Sequence, residues 1–234
     1  LPTQPVIELL PDPAVSTDSL NTNLVTPSTD ADGHAILYTY TWIQNGSTTS
    51  YSTASLPAAA TKRGDIWRVE VTPNDLYGSG PSATDSVTIG NVPPVLSAVV
   101  LTPDPANVED TLVCTAGAYT DADGDAVTYK YGWTVGGTSV SATSSTLSKA
   151  YFSRGEAVVC VVTLNDGYDD GLPVTSNSVT ISNTPPTLSK ATLTPSSPRE
   201  ASTLQCTAGT TYDADGDAVT LAYEWTGNGT KIGA

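Results

Sequence analysis

Methionine is absent from the 234 residues, phenylalanine and histidine occur once each, and lysine and arginine together number 9. The shortage of basic groups excludes most. Against 24 Asp and Glu it leaves a net charge of −15, whereas nucleic acid phosphates and anionic membrane surfaces both need positive charge on the protein that binds them. Cations are the partners this balance favours. No apolar run approaches the roughly 18 residues of a membrane-crossing helix, so no membrane span is expected. The Leu/Ala/Glu/Lys runs that make helices are missing as well. What remains is Thr, Val and Tyr, which suit pleated strands, with 19 Gly and 17 Pro to turn them. The chain starts at Leu1 without an initiator Met or a signal-peptide pattern, and it reads as part of a processed or larger protein.

A repeat organises the rest. Asp121-Ala-Asp-Gly-Asp-Ala-Val127 recurs identically as Asp213-Ala-Asp-Gly-Asp-Ala-Val219, and a degraded copy stands at Asp30-Ala-Asp-Gly-His34. Trp42, Trp133 and Trp225, and the diprolines Pro93-Pro94 and Pro185-Pro186, keep the same spacing of about 92 residues. So do Leu112-Val-Cys-Thr-Ala-Gly117 and Leu204-Gln-Cys-Thr-Ala-Gly209. That period is too long for a solenoid unit and matches separate domains. The expected division is 1–92, 93–184 and 185–234, the last holding the N-terminal half of a third copy. Either the polypeptide continues past Ala234, or another copy supplies the missing strands. Proline at each boundary restricts its own φ and the residue before it, so the joints should be short and stiff and the array a semi-rigid rod.

Strand periodicity is clearest in the middle copy. Val127, Tyr129, Tyr131 and Trp133 alternate with Thr128, Lys130 and Gly132, and Val158, Cys160 and Val162 alternate in the same way. With apolar segments at 97–102, 111–116 and 175–182, and two weakly specified strands within 138–151, about seven short strands are expected. Such a set reads as an all-β sandwich.

The run Asp-Ala-Asp-Gly-Asp-Ala-Val-Thr-Tyr-x-Tyr-x-Trp and the closing Asn-Thr-Pro-Pro resemble PKD-like and related bacterial Ig-like, cadherin-like repeats, and the resemblance covers essentially the whole chain. It implies tandem immunoglobulin-like sandwiches in secreted, cell-surface or filament-forming proteins. The placement of Cys114 and Cys160 around Trp133 resembles the immunoglobulin arrangement, in which two cysteines join strands B and F against a strand C tryptophan. On that resemblance the two form a disulfide, the alternative being two buried thiols, and an oxidising extracellular compartment follows. Cys206 matches Cys114. The first copy has Thr22 or Asn23 and Val69 at the cysteine positions, and Trp67 is expected to fill part of the space the disulfide leaves.

Hard cations take oxygen ligands from carboxylates spaced two apart. Asp121, Asp123 and Asp125 have that spacing, and in the immunoglobulin order their B–C loop lies at the same end as the F–G loop with Asp166, Asp169 and Asp170. A calcium site is expected there, the alternative being that these residues only make turns. The pattern departs from an EF-hand, having neither the closing Glu nor flanking helices. Asp213, Asp215 and Asp217 repeat the first half of the set. In the first copy Asp30, Asp32 and Asp75 remain, but His34 replaces the third aspartate and Gly78 and Ser79 replace Asp169 and Asp170, so calcium there should be weak or absent.

The function expected is a non-catalytic structural region, a calcium-stiffened rod or a filament, with self-association or neighbouring repeats as partners. Catalysis is not expected: the lone histidine sits in a degraded turn, and no Gly-rich phosphate loop appears. The second reading is an adhesin or carbohydrate-binding module, for which Tyr77 and Tyr168 in matching loops are the candidate stacking residues. Asn45 and Asn228 fit the N-glycosylation pattern, a short motif that often arises by chance.

Overall fold

A computed structural model describes Leu1–Ile232, and among these residues everything regular is β-strand except one short 3-10 turn at Ala58–Ala60. By packing, the chain divides into two compact units. The first comprises Leu1–Ser97, Ala118–Lys130 and Thr163–Pro173; the second comprises Ala98–Gly117, Tyr131–Val162 and the chain from Val174 onward. The packing boundary therefore does not follow the diprolines. Both loops that carry the middle repeat's aspartates belong to the first unit.

In the first unit, Val6–Leu10, Leu20–Thr26 and Ser55–Leu56 form one antiparallel sheet. The other runs in the order Ala14–Val15, Ala83–Gly90, Ile66–Asn74, Leu37–Gln44, Ser47–Thr48. Ala14–Val15 joins parallel to Ala83–Gly90 and the remaining pairs are antiparallel. Successive side chains of a strand point to opposite faces, and Ile66–Asn74 shows it plainly: Trp67, Val69 and Val71 are buried as the sequence predicts, with exposed or half-buried residues between them. They pack with Leu9, Leu20, Trp42, Leu56 and Ile89 into one core. The fold is a sandwich of two sheets, in the all-β immunoglobulin-like class.

The same strand order recurs one repeat later. Val99–Thr102, Leu112–Ala116 and Thr146–Leu147 make the smaller sheet. The larger runs Ala106–Asn107, Val179–Ser182, Ala157–Asn165, Thr128–Val135, Thr138–Val140, with Val174–Thr175 pairing on Ala157–Asn165. Cys114 and Cys160 are joined in a disulfide, both buried beside buried Trp133, Val158 and Val162. The indole N–H of Trp133 donates to the Ser144 carbonyl at 2.9 Å, and that of Trp42 to the Thr53 carbonyl at 2.8 Å. One predicted face is only partly realised. Trp133 and Val135 are buried, but Tyr129 stays 40% exposed, because it lies at the loop end of its strand, where its ring meets the edge of Tyr119.

Strand register settles what replaced the disulfide in the first repeat. Thr22 faces Leu9 as Cys114 faces Leu101, so Thr22 and not Asn23 holds the first cysteine position. Its Oγ1 is buried without a hydrogen-bond partner. Val69, opposite Trp42, holds the second. Trp67 is 1% exposed and stacks edge-on against Trp42, ring centroids 6.2 Å apart.

Among the described residues after Pro186 the strands come as three separate two-stranded ladders: Thr187–Leu188 with Thr211–Tyr212, Thr192–Thr194 with Gln205–Thr207, and Trp225–Gly227 with Thr230–Ile232. Leu188, Leu193, Tyr223 and Ile232 are exposed, and Cys206 is a free, half-buried thiol.

Candidate functional site: an aspartate cluster filled by arginine

Each Asp-Ala-Asp-Gly turn is built around its first aspartate. Asp121 Oδ1 accepts the backbone N–H groups of Asp123 and Asp125 at 3.0 and 2.9 Å, and Gly124, at φ 80°, supplies the left-handed step that turns the chain back. Asp213 holds Asp215 and Asp217 in the same way, both at 3.0 Å. In the facing loop, Asp166 is almost fully buried, and its Oδ1 accepts from Tyr168 and Asp169 N–H at 2.8 and 2.7 Å. Carboxylate oxygens of Asp121, Asp125 and Asp166 thereby lie within 4.8 Å of one another.

The other predicted ligands are engaged elsewhere. Asp123 Oδ2 accepts the N–H of Val92 at 2.9 Å. Asp169 Oδ2 and Asp166 Oδ2 both accept from the amide of Asn91, at 3.0 and 2.8 Å. Asp170 turns outward to Lys130 and Asn165. Asp215 accepts from Thr184 N–H at 2.6 Å.

Sequence reasoning missed the group at the centre. Arg63 reaches from the first repeat to form a two-pronged pair with Asp125, a geometry that fits a guanidinium to a carboxylate. Its Nη1 also donates to Asn91 Oδ1 at 2.8 Å and lies 4.0 Å from Asp123. Its charge sits 3.8 Å from the centre of the Tyr168 ring, a cation–π contact. The second arginine of this kind, Arg154, pairs with Asp217 and Asn183. Both follow from one turn: Gly64 and Gly155, at φ 86° and 85°, donate to the carbonyls of Ile89 and Ile181 at 2.8 Å each, which fixes the preceding arginine. The signal was present in Arg63-Gly64-Asp65 and Arg154-Gly155-Glu156, which keep the repeat spacing.

Close packing completes the arrangement. A Cβ on Gly171 would meet the Pro94 carbonyl oxygen at 2.1 Å, so only glycine fits beside the diproline there. In the first repeat, Asp32 stays outside the cluster that Asp30, His34 and Asp75 form. Tyr77 is exposed and packs against the His34 ring at 4.5 Å. The side-chain amide of Asn45 donates to Asp65 and its oxygen accepts from Ile66 N–H. Asn228 is exposed in the matching turn.

The electrostatics follow the geometry. The hydrogen bond from Arg63 holds the Asp125 carboxyl below its ordinary 3.8 and pushes the arginine further up. Burial raises Asp166, but the Asn91 amide and three backbone N–H groups outweigh it and leave it lowered. Lys130 and then Asn165 lower Asp170. Carboxyls held below their unfolded value near about 3.9 stabilise the fold while ionised, and that contribution is lost as pH falls through their lower folded values. The melting temperature should therefore drop as pH is taken below about 4. Asp125→Asn, which cannot titrate, should make that acid limb less steep; an unchanged limb would remove Asp125 from the account.

These sheets and this repeat define the chain as a tandem array of immunoglobulin-like β-sandwich domains. No family model matches it, and no curated protein does. Among solved structures it is similar to a two fibronectin type-III domain segment from chicken tenascin, at 13% identity over 76% of this chain and 98% of that one, TM-score 0.42. The FN1–FN3 domains of chicken CNTN1 are similar at 11% identity over 82% and 71%, TM-score 0.33. The class assignment rests on the sheet order described above.

Proposed function

We propose that this chain is a non-catalytic structural region of a secreted or cell-surface protein, in which each repeat is clamped to the next by an arginine seated in the next repeat's aspartate cluster. The observation that carries this is the recurrence of Arg63–Asp125 as Arg154–Asp217. In both joints a linker N–H caps the middle aspartate and a linker asparagine accepts from the arginine. A charge drawn from the preceding repeat fixes the angle of a joint that two prolines already make short. The result is a semi-rigid rod, with PKD-like or cadherin-like arrays as the comparable design. The disulfide supports an oxidising, extracellular location.

A specific observation favours calcium as a second reading: Asp121 Oδ2 is buried without a hydrogen-bond partner inside the cluster. Calcium ligated by Asp121, Asp125 and Asp166 would have to displace Arg63. The adhesin reading has less support, because Arg63 covers one face of Tyr168 although the ring remains 64% exposed. Small-angle scattering separates the first two readings. With arginine as the resident cation, chelator leaves the wild-type profile unchanged, while Arg63→Ala and Arg154→Ala broaden its distance distribution and calcium narrows it again. A wild-type rod that loosens in chelator and recovers with calcium would establish the second reading in place of the first.

A further inference from the structure

The first repeat's loop cluster differs from that of the middle repeat in its ligand-type residues, Gly78 and Ser79 having replaced Asp169 and Asp170, and in what reaches it. His34 stands where Asp125 and Asp217 stand later. Among the described residues no lysine or arginine pairs with Asp30 or Asp75.

The two carboxylates are nonetheless deeply set, with side chains 1% and 2% exposed. Each spends one oxygen on its own loop. Asp30 Oδ1 accepts from Asp32 and His34 N–H at 2.9 and 3.3 Å, and Asp75 Oδ1 accepts from Tyr77 and Gly78 N–H at 2.9 and 2.8 Å. The other two oxygens turn to a common point, marked by a cation. The Leu1 ammonium lies 3.3 Å from Asp30 Oδ2 and 3.8 Å from Asp75 Oδ2, without making a hydrogen bond to the former, which stays buried and unsatisfied. Buried carboxylate oxygens in that state call for a positive charge. His34 Nδ1 stands 3.4 Å from Asp30 Oδ1, and the ligand atoms of all three residues lie within 4.8 Å of one another.

We propose that Asp30, His34 and Asp75 form a site for a divalent transition metal of zinc-like preference, separate from the arginine-filled cluster of the middle repeat. The donor set decides the class. Calcium and magnesium take oxygen ligands, whereas an imidazole nitrogen beside two carboxylates suits zinc, cobalt or nickel. Donors on a tetrahedral zinc lie about 3.4 Å apart, so closing on the ion needs each ligand atom to move by up to about an ångström. His34, with 40% of its side chain exposed, is free to make it. Three protein ligands leave a coordination position open.

The test is titration of the full chain with zinc chloride and with cobalt chloride, in a Cys206→Ser background that removes the free thiol as a competing ligand. A parallel chain carries two residues ahead of Leu1, so that no ammonium sits at the site. One equivalent of metal should bind in both chains. His34→Ala and Asp75→Asn should each weaken binding by about tenfold or more, since even changes around a metal's ligands cost about 10–100-fold. Asp121→Asn should leave it unchanged, and the cobalt visible absorption should change in His34→Ala. His34→Asp recreates the all-oxygen set of the middle repeat and should lose zinc preference over calcium. Binding indifferent to both His34→Ala and Asp75→Asn, or no binding at millimolar metal, would overturn the proposal.

Discussion

Replacing Cys114 and Cys160 together by alanine should destabilise the sheets they join by about 4 kcal/mol in the chain-entropy model. The bridge closes a loop with a sequence separation of 46, and that closure is entropy removed from the unfolded chain. Both cysteines are also buried, so lost packing adds to the effect. Hydrogen exchange is the suited measurement, because it resolves segments that open separately. Amides within Ala157–Val162 should lose about three decades of protection, since about 1.4 kcal/mol corresponds to one decade. Amides in Ile66–Val71 should be unaffected, since that segment belongs to the core of the other compact unit. A loss below one decade at Val158 and Val162 would mean that the bridge contributes little there.

Trp67→Val should cost the first repeat about 3 kcal/mol, near the lower bound for deleting a buried aromatic ring. The ring is buried against Trp42, with Tyr51 on another edge at 6.2 Å, so truncation opens a cavity in this core. One feature keeps the figure low. The Trp67 indole N–H is buried without an acceptor, and its removal returns part of the loss. Urea unfolding followed by hydrogen exchange at Val69 and Val71 would measure it. A cost below about 1 kcal/mol would refute the filling role, because core aromatic losses of this kind run well above that.

Much of the fold is legible in the chain's alternation. Alternation in 66–74 and 157–165 specified both strands and their buried faces, because a half-buried strand needs an apolar residue at every second position and little else. Legibility fell off at strand ends. Tyr129 has the right parity for the core, yet parity does not say where along a strand the core stops.

The aspartate loops show the same division. Their turn chemistry and their convergence follow from local sequence and the order of strands. Which oxygens meet does not. Asp121, Asp125 and Asp166 converge while Asp169 and Asp170 do not; Asp170 pairs instead with Lys130, a residue 40 positions away in the chain.

By itself, the sequence determined the repeat and the sandwich class, which rest on local periodicity, turn propensity and spacing. The pairing of cysteines around Trp133 and the gathering of acid at one end of the middle repeat came with the resemblance to immunoglobulin-like repeats. Only the tertiary structure decided what neutralises that acid. Arg63 and Asp125 are 62 residues apart in the chain and meet only because a glycine turn in one repeat lies against the loops of the next. Spacing along the chain marks where charges are needed, but three-dimensional packing alone selects the partner that supplies them.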